Sequence, residues 1–195
     1  MSRIGLFFGS FNPLTNAHVA LAKSAVSMDL VDESWFVLSP ANPAKIRKNI
    51  LADEEHRREM MRAFIADEGN DSLRLCDVEY DLPRPSYTHR TLSVLKGKHP
   101  DLEFFILCGS DTLSKILSWK TGSMIAAENN FICSIRDGHQ SEWSEVVKEK
   151  TQFVELDIPV LSSTMVRCNI SEGAPYKDMI PPSIAEYIEK HGLYQ

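Results

Sequence analysis

The sequence has few of the features that mark membrane-bound, secreted or nucleic-acid-binding proteins. Acidic residues outnumber Lys and Arg by 27 to 21, giving a formal net charge of −6. This balance disfavours a broad surface for nucleic acids or anionic membranes, because such surfaces need an excess of basic residues. No apolar run approaches the length of a membrane-spanning helix, and no basic segment followed by a long apolar one opens the sequence. We therefore expect a cytoplasmic protein that binds neither membranes nor nucleic acids.

Closely spaced cysteines are also missing. The four cysteines, Cys76, Cys108, Cys133 and Cys168, are far apart in the sequence. No two have the spacing of a zinc site or a redox pair, so we expect reduced thiols. The glycine patterns of P-loop ATPases and of dinucleotide-dependent dehydrogenases are missing as well, and both enzyme classes are therefore disfavoured.

The length and the order of the predicted elements favour one α/β domain. The 195 residues, 43% hydrophobic and 25% charged, have the size and composition of a single globular domain covering residues 1–195. The predicted strands are residues 4–8, 35–38, 73–78, 102–108, 131–135 and 153–156. The predicted helices include residues 17–25, 53–65, 88–98, 112–119 and 183–190. This alternation predicts a Rossmann-like, doubly wound parallel sheet with helices on both faces.

The segment from Gly9 to His18 is the most informative part of the sequence. It lies between the first predicted strand and the first predicted helix, so it brings backbone amides and a helix N-terminus to one point. Such a point attracts phosphate, because those amides lack partners and the helix dipole is positive there. His18 falls in the first helical turn, where its ring can reach the same anion. A tight connection capped by Asn12 or Thr15 is the alternative, and local chemistry does not separate the two.

A second segment, Leu161 to Arg167, has a similar character. The hydroxyls and amides of Ser162, Ser163 and Thr164 lie where a helix is predicted to start, and Arg167 follows about one turn later on the same face. The guanidinium group of an arginine supplies paired donors for phosphate oxygens. A capped surface helix with a solvated arginine is the alternative.

Further segments combine a turn with polar side chains. Asp111 follows Gly109 at the end of a predicted strand, and either caps the next helix or accepts hydrogen bonds from ribose hydroxyls. Thr88 opens a predicted helix, where capping and ligand binding would use the same groups. Residues 43–48 form a basic loop, containing Lys45, in an otherwise acidic chain.

Together these segments resemble the signatures of the nucleotidyltransferase superfamily, most closely those of the nicotinate/nicotinamide mononucleotide adenylyltransferases. Residues 9–18 are similar to glycine-x-phenylalanine-aspartate/asparagine-proline followed by histidine/threonine-x-glycine-histidine. Residues 161–167 are similar to isoleucine-serine-serine-threonine-x-x-arginine, and residues 86–92 to serine-tyrosine-threonine-x-x-threonine-leucine. Thr15 stands where many members carry a first histidine, and Ala17 replaces the usual glycine. The resemblance covers nearly the whole chain.

The resemblance implies an adenylyltransferase that joins ATP to nicotinate or nicotinamide mononucleotide, forming pyrophosphate and the dinucleotide in NAD biosynthesis. It implies catalytic roles for His18, Lys45 and Arg167, and Mg²⁺ bound with ATP rather than in a dedicated protein metal site. The choice between the acid and the amide acceptor stays open, as does assembly into a homo-oligomer. The C-terminal segment, residues 184–194, resembles the closing helix of the family and is expected only to pack.

The implied nucleotide contacts form two sets. The ATP set comprises Gly9, Ser10, Phe11, Thr15, Gly109, Asp111, Ser162, Ser163 and Thr164. The mononucleotide set comprises Asn12, Thr88, Arg136 and Trp119, whose ring would stack on the pyridine. Two alternatives remain: another transferase of the superfamily, acting on phosphopantetheine or using CTP, and a nucleotide-binding relative without turnover.

Overall fold

The computed structural model describes residues 1–46, 51–135, 143–156 and 160–195. The strands are β1 (Ser2–Gly9), β2 (Glu33–Leu38), β3 (Leu73–Cys76), β4 (Leu102–Gly109), β5 (Asn130–Ile135) and β6 (Thr151–Glu155). They pair in parallel in one six-stranded sheet of order β3-β2-β1-β4-β5-β6. This is the doubly wound arrangement predicted from the sequence. The strand order reverses between β1 and β4, which opens a crevice at their carboxyl ends.

The helices match most of the predicted positions. They are α1 (Asn16–Ser27), α2 (Pro43–Ile46), α3 (Glu54–Glu68), α4 (Thr88–Lys98), α5 (Ser110–Leu113), α6 (Gly122–Glu128), α7 (Glu145–Glu149), α8 (Ser163–Glu172) and α9 (Pro182–His191). Short 3₁₀ helices cover Val78–Asp81, Ile116–Ser118 and Lys177–Met179. Across the described ranges, no helix has the length and apolar character needed to cross a membrane.

The core occupies both faces of the sheet. On one face, Phe7 of β1 packs in a buried cluster with side chains from α1, α3 and α9, including Phe64 and Ile184. On the other face, Leu6 of β1 belongs to a cluster with α4 and α6, including Leu92. Neighbouring residues of a strand point to opposite faces, so β1 contributes to both clusters. The helices therefore cover both faces, as expected for a buried parallel sheet.

The prediction of one helix over residues 112–119 is wrong. Helix α5 is only four residues long, and a separate 3₁₀ helix follows it. The Ser114 hydroxyl donates to the carbonyl oxygen of Ser110 at 2.7 Å, and such side-chain bonds compete with the backbone bonds that continue a helix. Trp119 consequently has an extended backbone and lies in a turn, not in a helix.

Candidate active site

The central strands β1 and β4 end side by side. Their residues pair from Ser2 with Leu102 to Leu6 with Ile106, so both strands run toward the same edge of the sheet. The loop from Gly9 to α1 and the first turn of α5, which holds Asp111, leave from this edge. The crevice between them is where a doubly wound fold binds its ligand.

The loop after β1 is shaped by Phe11. This residue has a φ of +38° and is buried. A Cβ atom at Gly9 would lie 2.7 Å from the Phe11 ring, so glycine leaves the space that this ring fills. The Phe11 ring packs edge-on against the His18 ring, with centroids 5.6 Å apart. Phe11 therefore supports His18, and its predicted contact with ATP stays a prediction.

His18 lies in the first turn of α1, as predicted, and Thr15 holds its ring. The backbone N–H of Thr15 donates to His18 Nδ1 at 3.0 Å, and Thr15 Oγ1 lies 2.7 Å from the same atom. A ring nitrogen that accepts an N–H bond carries no proton, so neutral His18 carries its proton on Nε2. His18 therefore offers an N–H donor on the side of the ring away from Thr15. Thr15 itself is buried at the N-cap of α1.

The segment at residues 162–167 docks directly on the loop after β1. The Ser163 hydroxyl donates to the carbonyl oxygen of Pro13 at 2.8 Å. Arg167 Nη1 donates to the carbonyl oxygen of Asn12, also at 2.8 Å. The two segments that the sequence suggested for phosphate binding are therefore adjacent in space, although they lie at opposite ends of the chain.

The start of α8 is capped from within the same segment. The Ser162 side chain accepts the backbone N–H of Met165 at 3.2 Å, and Thr164 Oγ1 accepts from Arg167 Nη2 at 3.3 Å. Ser162 and Thr164 are both exposed at this end of the helix. Their predicted contacts with ATP are compatible with this placement and stay predictions.

Three cationic side chains, Lys45, Arg57 and Arg167, lie near one another at these segments. The structure places Lys45 in the short helix α2, where the sequence suggested a loop. Burial and the nearby charges of Arg167 and Arg57 lower the pKa of Lys45. Buried positive charge is costly unless an opposite charge compensates it, so this cluster favours the binding of an anion.

Arg57 is a member of this cluster that the sequence interpretation missed. It is 1% exposed, and its guanidinium donates to the backbone carbonyls of Ser10, Ser39, Pro40 and Ala52 at 2.7–3.1 Å. Within the part of the chain that the structure describes, no carboxylate forms an ion pair with Arg57. Burial lowers its pKa. A signal was present, because Arg57 shares the buried face of α3 with Met60, Met61 and Phe64 at helical spacing.

Asn12 lies in the loop after β1 and is buried. Its side-chain oxygen accepts the backbone N–H of Ala52 at 3.0 Å and the hydroxyl of Tyr194 at 2.8 Å. The C-terminal segment, which is expected to pack, thus also makes a polar contact with the loop after β1 through Tyr194. The contact of Asn12 with the mononucleotide stays a prediction.

The segments assigned to the pyridine ring touch each other. Tyr87, the N-cap of α4 immediately before Thr88, has the Nζ atom of Lys120 4.4 Å from its ring centroid. Lys120 directly follows Trp119, which is partly buried against the core. Thr88 and Trp119 thus lie on adjoining segments. Arg136, the remaining residue of the mononucleotide set, lies outside the described residues.

Comparisons with known proteins identify the family of the chain. Residues 6–169 match the family model described as Cytidylyltransferase-like. A protein of Flavobacterium johnsoniae named "Probable nicotinate-nucleotide adenylyltransferase" is 32% identical over 194 residues, covering 99% of each chain. A protein of Halalkalibacterium halodurans with the same name is 32% identical over 196 residues, covering 100% of this chain and 92% of that protein.

A solved structure supports the fold. The Plasmodium falciparum nicotinic acid mononucleotide adenylyltransferase complexed with NaAD superposes with a TM-score of 0.81 at 24% identity, covering 100% of this chain and 98% of that one. The predicted Rossmann-like fold is confirmed. The chain belongs to the cytidylyltransferase-like family and, within it, to the group of the nicotinate-nucleotide adenylyltransferases.

Proposed function

We propose that this protein transfers the adenylyl group of ATP to nicotinate mononucleotide, forming the dinucleotide and pyrophosphate. The observation that carries the proposal is the direct contact between the two segments that the sequence predicts to bind phosphate, in which Arg167 and Ser163 donate hydrogen bonds to the loop that leads to His18. The names of the relatives support a pyridine mononucleotide as the acceptor.

The chemistry needs no strong base. A phosphate oxygen of the mononucleotide attacks the α-phosphorus of ATP. The bond from the α-phosphorus to the oxygen that bridges it to the β-phosphorus breaks. Pyrophosphate leaves with the electron pair. The second pKa of a phosphate monoester is about 6, so the attacking group is largely ionised at neutral pH. Catalysis then depends on alignment and on the stabilisation of charge.

The described side chains suit these tasks. The Nε2–H of His18 is a donor for the α-phosphate or the bridging oxygen, and Arg167 with Lys45 would hold the leaving pyrophosphate. The proton of the Ser163 hydroxyl is already donated to Pro13, so this residue would bind phosphate through its backbone N–H. The buried charge of Arg57 would add to the positive potential without touching the substrate.

Mg²⁺ is expected to accompany ATP. In the described ranges, no group of three or more His, Cys, Asp or Glu side chains is arranged to hold a metal ion. The charged groups that lie together near the two segments, Lys45, Arg57 and Arg167, are cations and cannot ligate a metal ion, which fits Mg²⁺ held mainly by phosphate oxygens and water. When bound, Mg²⁺ neutralises part of the phosphate charge. We further propose that the chain acts as a single domain in the cytoplasm, which the free state of its four cysteines supports.

The test is pyrophosphate release from ATP and Mg²⁺ with nicotinate mononucleotide, nicotinamide mononucleotide and phosphopantetheine in parallel. We expect release with a pyridine mononucleotide, and a loss of about a hundredfold in Arg167→Ala. Arg62→Ala is the matched control, because Arg62 lies in α3 and pairs with Glu59 on the surface. Release with phosphopantetheine alone would assign another acceptor. ATP binding without release from any acceptor would indicate a relative without turnover.

A further inference from the structure

The turn that follows Trp119 has a fixed shape. The backbone N–H of Gly122 donates to the carbonyl oxygen of Trp119 at 2.9 Å, and Thr121 between them has a φ of +61°. A Cβ atom at Gly122 would lie only 2.0 Å from the carbonyl oxygen of Ile116. Because only glycine fits there, the turn is closed tightly against the preceding 3₁₀ helix. The turn therefore fixes the backbone of Trp119 and Lys120 relative to each other.

Tyr87 receives the side chain of Lys120. The ammonium nitrogen of Lys120 lies 4.4 Å from the centroid of the Tyr87 ring, a cation–π distance. The guanidinium carbon of Arg90 lies 5.8 Å from the same ring, and the His89 ring stacks on it at 5.9 Å. The ammonium group is thereby placed beside the start of α4, where Thr88 is the first helical residue.

Two cations, Lys120 and Arg90, lie against the Tyr87 ring. Among the residues described by the structure, neither Lys120 nor Arg90 forms an ion pair with a carboxylate. Their charges stand out in a protein whose net charge is −6. Arg90 Nη1 donates to the carbonyl oxygen of Pro83 at 2.6 Å, so this guanidinium already has a hydrogen-bond acceptor within the protein. Lys120, by contrast, is exposed.

We propose that Lys120 is the specificity-determining residue that makes the acceptor site prefer the acid to the amide. The inference rests on the proposed function. Nicotinate and nicotinamide mononucleotides differ in one ring substituent, a carboxylate in the first and a neutral carboxamide in the second. If the pyridine stacks on Trp119 beside Thr88, its ring substituent lies between the two segments that the contact of Lys120 with Tyr87 joins, and the exposed ammonium group of Lys120 is a cation placed there. A cation attracts the carboxylate and gains little from the carboxamide.

The test is the ratio of kcat/KM for the two acceptors in the wild type, Lys120→Gln, Lys120→Arg and Lys115→Gln. We expect Lys120→Gln to lower kcat/KM for nicotinate mononucleotide about tenfold and to leave the value for the amide nearly unchanged. Lys120→Arg keeps the charge and should keep the preference. Lys115→Gln is the control, because Lys115 is an exposed lysine of the same connection. An unchanged ratio in Lys120→Gln, or equal losses with both acceptors, would overturn the inference.

Binding of each mononucleotide by titration calorimetry separates this inference from the proposed function. Calorimetry reads the preference without turnover, so Lys120→Gln should weaken binding of the acid about tenfold and spare the amide. A wild type that prefers the acid in binding but releases no pyrophosphate would contradict the proposed function alone. A wild type that binds the amide as tightly as the acid would contradict the role of Lys120.

Discussion

The hydroxyl of Tyr194 donates a 2.8 Å hydrogen bond to the side-chain oxygen of Asn12, 182 residues earlier in the sequence. The same oxygen accepts the backbone N–H of Ala52, and the carbonyl oxygen of Asn12 accepts a bond from Arg167. Asn12 therefore joins the loop after β1, the segment before α3, helix α8 and the C-terminal residues. Burial raises the pKa of Tyr194, which keeps its hydroxyl protonated and able to donate at neutral pH.

Removing this one hydroxyl should affect the site more than the fold. In Tyr194→Phe, Asn12 keeps its bond from Ala52 but loses one of the bonds that orient it, and Arg167 depends on the same residue for its position. We expect a loss of unfolding free energy of about 1 kcal/mol, measured in urea, together with about a tenfold rise in KM for ATP.

Tyr187→Phe is the matched control for this variant. The hydroxyl of Tyr187, in α9, lies 3.1 Å from Nδ1 of His56 and does not contact Asn12. Its loss should cost similar stability without changing KM. Equal KM values in the two variants would show that the bond from Tyr194 contributes to folding alone.

Two amide substitutions can test which ring nitrogen of His18 carries the proton, because they place the amide group at different distances from the backbone. In His18→Gln the amide nitrogen reaches about as far as Nε2, whereas in His18→Asn it reaches only as far as Nδ1. Because Thr15 occupies Nδ1, we expect Gln to retain about ten times more activity than Asn. His18→Ala should lose about a hundredfold or more, equivalent to roughly 3 kcal/mol of barrier. Single-turnover rates at saturating ATP measure the activity of all three variants. Equal activity of His18→Gln and His18→Asn would contradict the assignment of the proton to Nε2.

Local signals in the sequence were enough to predict the strands, the fold class and the segments that carry His18 and Arg167. Each of these features depends on short stretches of apolar spacing, turn residues and capping residues. The contacts of Asn12 with Tyr194 and Arg167 depend instead on how distant elements meet after folding, and no local pattern contains that information. The break in the predicted helix at residues 112–119 shows the same limit, because it follows from serine side chains bonding to the backbone and from the tight contact at Gly122.

The protonation of Lys45 should make ATP binding depend on pH. Burial and the charges of Arg57 and Arg167 lower the pKa of Lys45, so it loses its proton at a lower pH than an exposed lysine does. Bound phosphates would restore the proton. We therefore expect the affinity for ATP to fall by about tenfold as the pH rises from neutrality through the lowered pKa of Lys45. In the upper part of this pH range, ATP binding should be accompanied by the uptake of a proton.

Lys45→Arg is the informative comparison for this pH dependence. An arginine stays charged through the same range, so the affinity of this variant for ATP should vary little with pH. Calorimetry in buffers of different ionisation enthalpy measures both the affinity and the proton uptake. The same pH profile in the wild type and in Lys45→Arg would show that another group titrates.

Glu79 should limit the stability of the fold at neutral pH. This residue lies in the 3₁₀ helix after β3, is 3% exposed, and accepts a 2.7 Å hydrogen bond from the hydroxyl of Thr91. Burial raises its pKa above the ordinary value of 4.5. The folded state thus binds this proton more tightly than the unfolded state does. The stability that the proton contributes is fully present below the unfolded pKa and is lost as the pH rises through the folded pKa.

Glu79→Gln should therefore stabilise the protein at neutral pH. The glutamine keeps an oxygen to accept the bond from Thr91 and removes the cost of a buried charge, so we expect a gain in unfolding free energy of about 1–2 kcal/mol at pH 7.5. The gain should shrink as the pH falls toward the ordinary pKa, where the wild-type carboxyl is also neutral. Glu103→Gln, at an exposed position in β4, should change stability little at either pH. Urea unfolding at both pH values measures the difference, and a gain for Glu79→Gln that stayed constant with pH would show that it does not arise from the buried charge.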